Sequence, residues 1–139
     1  MNIPNADTYT LFFDGCSKGN PGKAGAGAVI YRNQIEIYAQ SGFVGMNATN
    51  NVAEYHGLLM GLQKATALNI KNITVKGDSM LIIKQLKGEF KVKSPAMIPL
   101  FEMAQAFIQK IDVVKYEHVY REYNKRADAL ANAGLLLTN

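Results

Sequence analysis

The chain has 139 residues, 48% of them apolar, and no apolar run approaches the roughly 18–20 residues that a membrane helix needs. This length closes one sizeable core and argues against two independent domains, so the expectation is a single unit over residues 1–139. Fifteen Lys and Arg against eleven Asp and Glu leave a net charge of +4, which suits a phosphate-rich partner without requiring one. Cys16 is the only cysteine, which excludes an intrachain disulfide and a thiolate metal cluster within one chain. The start, MNIPNADTYT, has neither the charged nor the apolar region of a leader, so a cytoplasmic chain without a membrane partner is expected.

Taken in order, TYTLFF at 8–13 carries apolar and β-branched residues on both faces and reads as a central strand ending at Asp14. The stretch GCSKGNPGKAGAG reads as a glycine-rich connection with NPG as its turn, leading into a second strand at AVIY. IEIYAQSGFV at 35–44 alternates as a third strand, joined to the second through Arg32-Asn33-Gln34, so the three form an antiparallel meander. After Thr49-Asn50-Asn51 the period becomes helical. Tyr55, Leu58, Leu59 and Leu62 share one face of a helix that runs to about Leu68.

ITVK at 73–76 is a short strand stopped by Gly77, and Ser79 to about Lys87 is a second helix. KGEFKVKSP forms a basic loop holding Lys87, Lys91 and Lys93 close after Lys84. Ser94 and Pro95 offer a cap and first-turn proline for a third helix to about Ile111, with Pro99 making its start irregular. VVKYEHVY at 113–120 is a fifth strand, and Asn124 caps a last helix with Ala127, Leu130, Ala131 and Gly134 on one face. This succession describes an α/β fold, a five-stranded mixed sheet with helices on its faces.

Four acids fall at places where such a fold binds ligands. Asp14 closes the first strand and Asp78 follows the fourth, and adjacent parallel strands would bring those ends together. Glu54 and Asp128 stand near the N-termini of their helices and border the buried faces. Any one of them alone reads as an ordinary helix-start or turn acid. Gathered together they repel, and an oxygen-only set then calls for a hard divalent cation, Mg²⁺ or Mn²⁺, of the kind that serves phosphodiester hydrolysis in pairs. His56 and His118 have no spacing that suits zinc.

With FFDGCSKGNPGKAGAG, ATNNVAEYHGLLMGL, VKGDSMLI and NKRADALAN in order from Tyr9 to about Leu136, the sequence resembles type I ribonuclease H. The resemblance implies strand order 3-2-1-4-5, an acidic tetrad at Asp14, Glu54, Asp78 and Asp128, two Mg²⁺ ions with Mn²⁺ as a substitute, and cleavage of the RNA strand of an RNA-DNA hybrid to 5′-phosphate and 3′-hydroxyl ends. It also implies that Gly15, Cys16, Asn20, Asn50 and Asn51 follow the RNA backbone and 2′-hydroxyls, and that Thr49 helps to hold a DNA phosphate. The plainer reading of Thr49-Asn50-Asn51 is a helix cap.

Three departures from the family pattern stand out. The path from the last strand to Asp128 is the short Arg121-Glu122-Tyr123-Asn124, without the loop histidine; Glu122 is a candidate for its role in proton transfer or product departure, or a plain exposed acid. Between Gly88 and Ser94 the basic protrusion is brief, leaving Phe90 and Lys91 as possible DNA-strand contacts. No additional hybrid-binding module is expected, nor an obligate protein partner, and the chain is expected to be a monomer. A nuclease of double-stranded RNA or DNA junctions, a silent nucleic-acid-binding domain and a detached reverse-transcriptase nuclease remain as alternatives, silence being disfavoured by four acids beside phosphate.

Overall fold

The computed structural model describes residues 7–137, so residues 1–6, on which the reading of a missing leader partly rests, lie outside it. β1 (Tyr9–Lys18) runs antiparallel to β2 (Gly22–Arg32), which runs antiparallel to β3 (Ile35–Ala48). Next come α1 (Asn50–Ala67), β4 (Asn72–Gly77), α2 (Met80–Leu86), α3 (Ile98–Ile108), β5 (Val113–His118), a 3-10 turn (Arg121–Tyr123) and α4 (Lys125–Gly134). β4 is parallel to both β1 and β5, so the order across the sheet is β3-β2-β1-β4-β5, as the resemblance implies. Among the described residues no helix is long and apolar enough to cross a membrane.

Side chains alternate across β1, so Leu11 and Phe13 share one face and Phe12 and Asp14 the other. Leu11 and Phe13 are fully buried, in a core with Tyr55, Leu58 and Leu62 of α1 and Ile82 and Ile83 of α2. Each such side chain contributes ~1.5–3 kcal/mol through burial. α4 covers the opposite face, over β1 to β3, with Ala127, Ala131 and Gly134 inward.

The glycine-rich stretch behaves differently from its sequence reading. β1 does not stop at Asp14 but continues to Lys18, only Gly19, Asn20 and Pro21 form the turn, and β2 begins at Gly22. Gly25 and Gly27 are strand residues, and their glycine identity answers to packing: a Cβ on them would stand 2.3 Å from the Ala131 carbonyl oxygen and 2.6 Å from that of Ala127. Turn chemistry and close helix-on-strand approach both select glycine, and composition alone does not separate them.

Three boundaries also move. β3 extends to Ala48, beyond the expected 44, with register shifts against β2 that let a long strand follow the sheet's twist. α3 starts at Ile98, not at Ser94-Pro95: the Ser94 carbonyl accepts from both Met97 N and Ile98 N, making that segment a separate turn, and Pro99 occupies the helix's first turn, where a missing N–H costs nothing. β5 ends at His118, and the residues after it wind into the 3-10 turn that feeds α4.

Candidate active site

The β1–β4 ladder covers only Thr10 to Phe12, the last pair being Phe12 with Lys76. Beyond it β1 is paired on its β2 side alone, which opens a notch beside Phe13 and Asp14. The Phe13 carbonyl is not left bare there: it accepts from Asn124 Nδ2 at 3.0 Å. Asp14 stands in the notch, 4% exposed, with its Oδ1 accepting from the Gly15 amide at 2.9 Å. Asp78 enters from the end of β4, immediately after Gly77.

Glu54 reaches the same place because α1 lies directly on β1. A Cβ on Gly15 would sit 2.2 Å from Ala53 C and Glu54 N, and one on Gly57 would sit 2.4 Å from the Asp14 carbonyl oxygen, so only hydrogen at both positions permits the approach. α1 itself starts at Thr49, whose side chain accepts from Val52 N at 3.2 Å. Asp128 comes from the first turn of α4, on the other side of the sheet.

One carboxylate oxygen from each of Asp14, Glu54 and Asp78 lies within 4.8 Å of the others. Asp128 lines the same cleft, of about 520 Å³, but stands outside that triplet; Asn132 Nδ2 donates to its carbonyl at 2.9 Å and to its Oδ1 at 3.3 Å. Burial pushes the Asp14 carboxyl up to about 7, with repulsion from Asp78 and Asp128 adding to it and hydrogen bonds from Glu54 and Gly15 opposing. Glu54 is raised well above its ordinary range, first by burial and then by the Asp14 charge. Asp78 is raised by burial too, while Asn124 and Arg121 favour its ionised form.

The three carboxylates thus resist ionising together unless positive charge joins them. Glu54 Oε2 is buried and has no hydrogen-bond partner among the described residues. A carboxylate oxygen in that state costs several kcal/mol, and a cation bound against it removes the cost. The donor set is all oxygen, the chemistry of a Mg²⁺ or Mn²⁺ site. The residues therefore fit a divalent metal.

Of the expected substrate contacts, Gly15, Cys16 and Asn50 line the cleft. Asn50 Oδ1 accepts from Ser17 N at 2.7 Å, and Asn20 Oδ1 accepts from Asn50 N at 2.9 Å, so Asn20 braces Asn50 from behind. Thr49 is engaged as the α1 cap, and neither it nor Asn51 lines the cleft. Glu122 is exposed on the 3-10 turn and is not among the residues lining the cleft, although its neighbour Arg121 is. Phe90 and Lys91 are exposed in the loop after α2, where Lys84 Nζ lies 4.9 Å from the centre of the Phe90 ring.

Sequence reasoning passed over Ser17, Lys18, His118, Tyr120, Arg121 and Asn132, all of which line the cleft. His118 was legible in principle. It pairs with Gly77 at the end of parallel β5, beside the residue that precedes Asp78, a placement that its unsuitability for zinc does not address. A larger cavity of about 600 Å³ lies between β1, β2 and α4, lined by Phe12, Tyr31, Lys76 and Arg126 among others, but it holds no carboxylate.

Comparison with known proteins places this geometry in a family. Residues 12–134 match the "Reverse transcriptase-like" family model. A bifunctional protein of Mycobacterium tuberculosis is 43% identical over 120 residues, which are 86% of this chain and 33% of that protein, so the chain spans about a third of the mycobacterial relatives' length. The crystal structure of ribonuclease H1 from Halobacterium salinarum superposes with a TM-score of 0.88 at 35% identity, over 94% of this chain and 99% of that one. That of the ribonuclease H1 called LC11, solved with an RNA/DNA hybrid, gives 0.86 at 32% identity over 92% and 96%. With its sheet order, helix placement and acidic cleft, the chain belongs to the ribonuclease HI family.

Proposed function

We propose that residues 1–139 form one catalytic domain, an endonuclease that hydrolyses the RNA strand of RNA-DNA hybrids and leaves 5′-phosphate and 3′-hydroxyl ends. The observation that carries this is the meeting of three carboxylates, Asp14 and Glu54 buried and Asp78 half-buried, with a Glu54 oxygen that has no hydrogen-bond partner among the described residues, an arrangement suited to a divalent ion at a phosphate. The solved complex of LC11 ribonuclease H1 with a hybrid supports the choice of substrate.

Asp14, Glu54 and Asp78, with Asp128 at the cleft's other wall, hold Mg²⁺, or Mn²⁺ in its place. When bound, the metal supplies Lewis acidity at the scissile phosphate and lowers the cost of ionising water. The chain's own residues orient the substrate. With its Oδ1 committed to Ser17 N, Asn50 keeps its Nδ2 to donate into the cleft, beside the half-buried Gly15 and Cys16 that also line it. A 2′-hydroxyl both donates and accepts, so such a surface favours ribose over deoxyribose on that strand. Lys18 and Arg121 are the cations of the cleft and take flanking phosphates. His118 lines the cleft, and to it falls proton transfer at the departing 3′-oxygen, a task for which Glu122 was the sequence candidate beside its reading as a plain exposed acid.

The test is incubation of the protein with labelled hybrid, double-stranded RNA, single-stranded RNA and duplex DNA, in Mg²⁺, Mn²⁺ or EDTA, beside Asp78→Asn. The expected result is metal-dependent cutting of hybrid RNA that Asp78→Asn loses. Equal cutting of single-stranded RNA in EDTA would refute the mechanism, and preferred cutting of double-stranded RNA would move the substrate assignment.

A further inference from the structure

Asn124 precedes α4 at the position where the sequence predicts a side-chain cap, but its side chain makes no cap hydrogen bond. It is 1% exposed, and Nδ2 donates instead to the Phe13 carbonyl at 3.0 Å, across 111 residues of sequence. Its backbone is engaged as well: the Asn124 carbonyl accepts from Asp128 N at 3.0 Å, and Asn124 N donates to the Arg121 carbonyl at 3.0 Å. One residue therefore touches Phe13, the neighbour of Asp14, and Asp128.

The remaining side-chain atom makes the case sharper. Asn124 Oδ1 is buried without a hydrogen-bond partner among the described residues. An amide that forgoes its cap and leaves an acceptor unpaired works against stability twice, where an apolar residue of similar size would carry no orphan. What an apolar residue lacks is the donor, and the donor is spent where the β1–β4 ladder ends and the carboxylates begin.

We propose that Asn124 is a positioning residue for the carboxylate cluster, fixing β1 and the start of α4 in one register so that Asp14 and Asp128 face the same cleft. The proposal rests on the metal-dependent reading above. Partners that orient metal ligands from behind are worth about 10–100-fold in affinity or activity.

The experiment uses the full chain with Asn124→Ala and Asn124→Asp, measuring Mn²⁺ binding by calorimetry without nucleic acid, the Mg²⁺ dependence of hybrid cleavage, and Tm. Both variants should bind Mn²⁺ about 10-fold or more weaker and cut with lower kcat at fixed Mg²⁺. KM for the hybrid should hold, and raising Mg²⁺ should restore part of the rate for Asn124→Ala. Asn124→Asp, unable to donate when ionised, should fall further. A purely structural role would lower Tm and leave Mn²⁺ affinity at the wild-type value, and that result overturns the proposal. If neither variant folds, the wild-type protein decides: the Asn124 side-chain amide resonances should shift on Mg²⁺ titration, and unmoved resonances overturn it. If wild type binds Mn²⁺ and the variants lose it while wild type cuts no hybrid, the substrate reading fails and the positioning role stands.

Discussion

The two halves of β1 follow opposite rules. From Tyr9 to Phe13 the strand lies beside β2 and, over Thr10 to Phe12, β4 as well, with Leu11 and Phe13 fully buried. From Asp14 to Lys18 it keeps β2 alone, and polar groups occupy the flank that β4 leaves. One strand thus serves as a core anchor at one end and as one side of a charged notch at the other. Regularity supplies stability, and the place where pairing stops supplies chemistry.

The largest effect should come from the notch. Asp14→Asn is expected to lower hybrid cleavage by about 10³-fold or more, equivalent to ~4 kcal/mol of barrier, with the folded state intact by circular dichroism; retained activity would remove Asp14 from the mechanism. The core half should respond inversely. Leu11→Ala should destabilise by ~2–5 kcal/mol in urea unfolding while kcat per folded molecule stays close to wild type. Gly57→Ala probes the seam between the halves: its Cβ would meet the Asp14 carbonyl oxygen at 2.4 Å, so α1 must shift. A loss of ~1–3 kcal/mol together with reduced kcat is expected, and loss of stability without loss of kcat would detach α1's seating from the site.

Acidity separates the halves too. Asp14 titrates near 7 in the fold against an ordinary 3.8, so its contribution to the stability of the metal-free protein is full below about pH 4 and is lost as the pH climbs to about 7. Glu54, also raised, acts in the same direction. Metal-free Tm should therefore fall by several degrees over that window, and Mg²⁺ at neutral pH should recover it; a Tm indifferent to Mg²⁺ would contradict the fit of the cluster to a metal. The smallest change is at the α1 start, where Thr49→Ala should cost ~1 kcal/mol by thermal melting with little change in hybrid affinity. A marked drop in affinity would restore Thr49 as a phosphate contact.

Much of this was legible in the sequence. Helical period gave the buried face of α1, and the order of strands and helices gave the sheet class, because both depend on local patterns of apolar residues. The four acids could be listed together, Glu54, Asp78 and Asp128 near helix starts or a strand end and Asp14 after the apolar run of β1, although that strand runs on to Lys18. The extent of β1 and β2 was not legible: Gly25 and Gly27 are glycines because α4 presses on them, and α4 lies a hundred residues onward. The same holds for Asn124, whose sequence position suggests a cap and whose partner is Phe13. His118 and Arg121 became cleft residues only once β5 was set beside β4 and the chain turned back toward α4.

The acids arrive from β1, α1, the turn after β4 and α4, and the last of these elements is also the last to be synthesised. Until α4 docks, the notch lacks the Asp128 wall and the Asn124 donor, and the ion meets fewer of its ligands. Cation binding therefore rewards complete assembly over any part of it, so a divalent ion should act on this chain as a selector of finished molecules during folding.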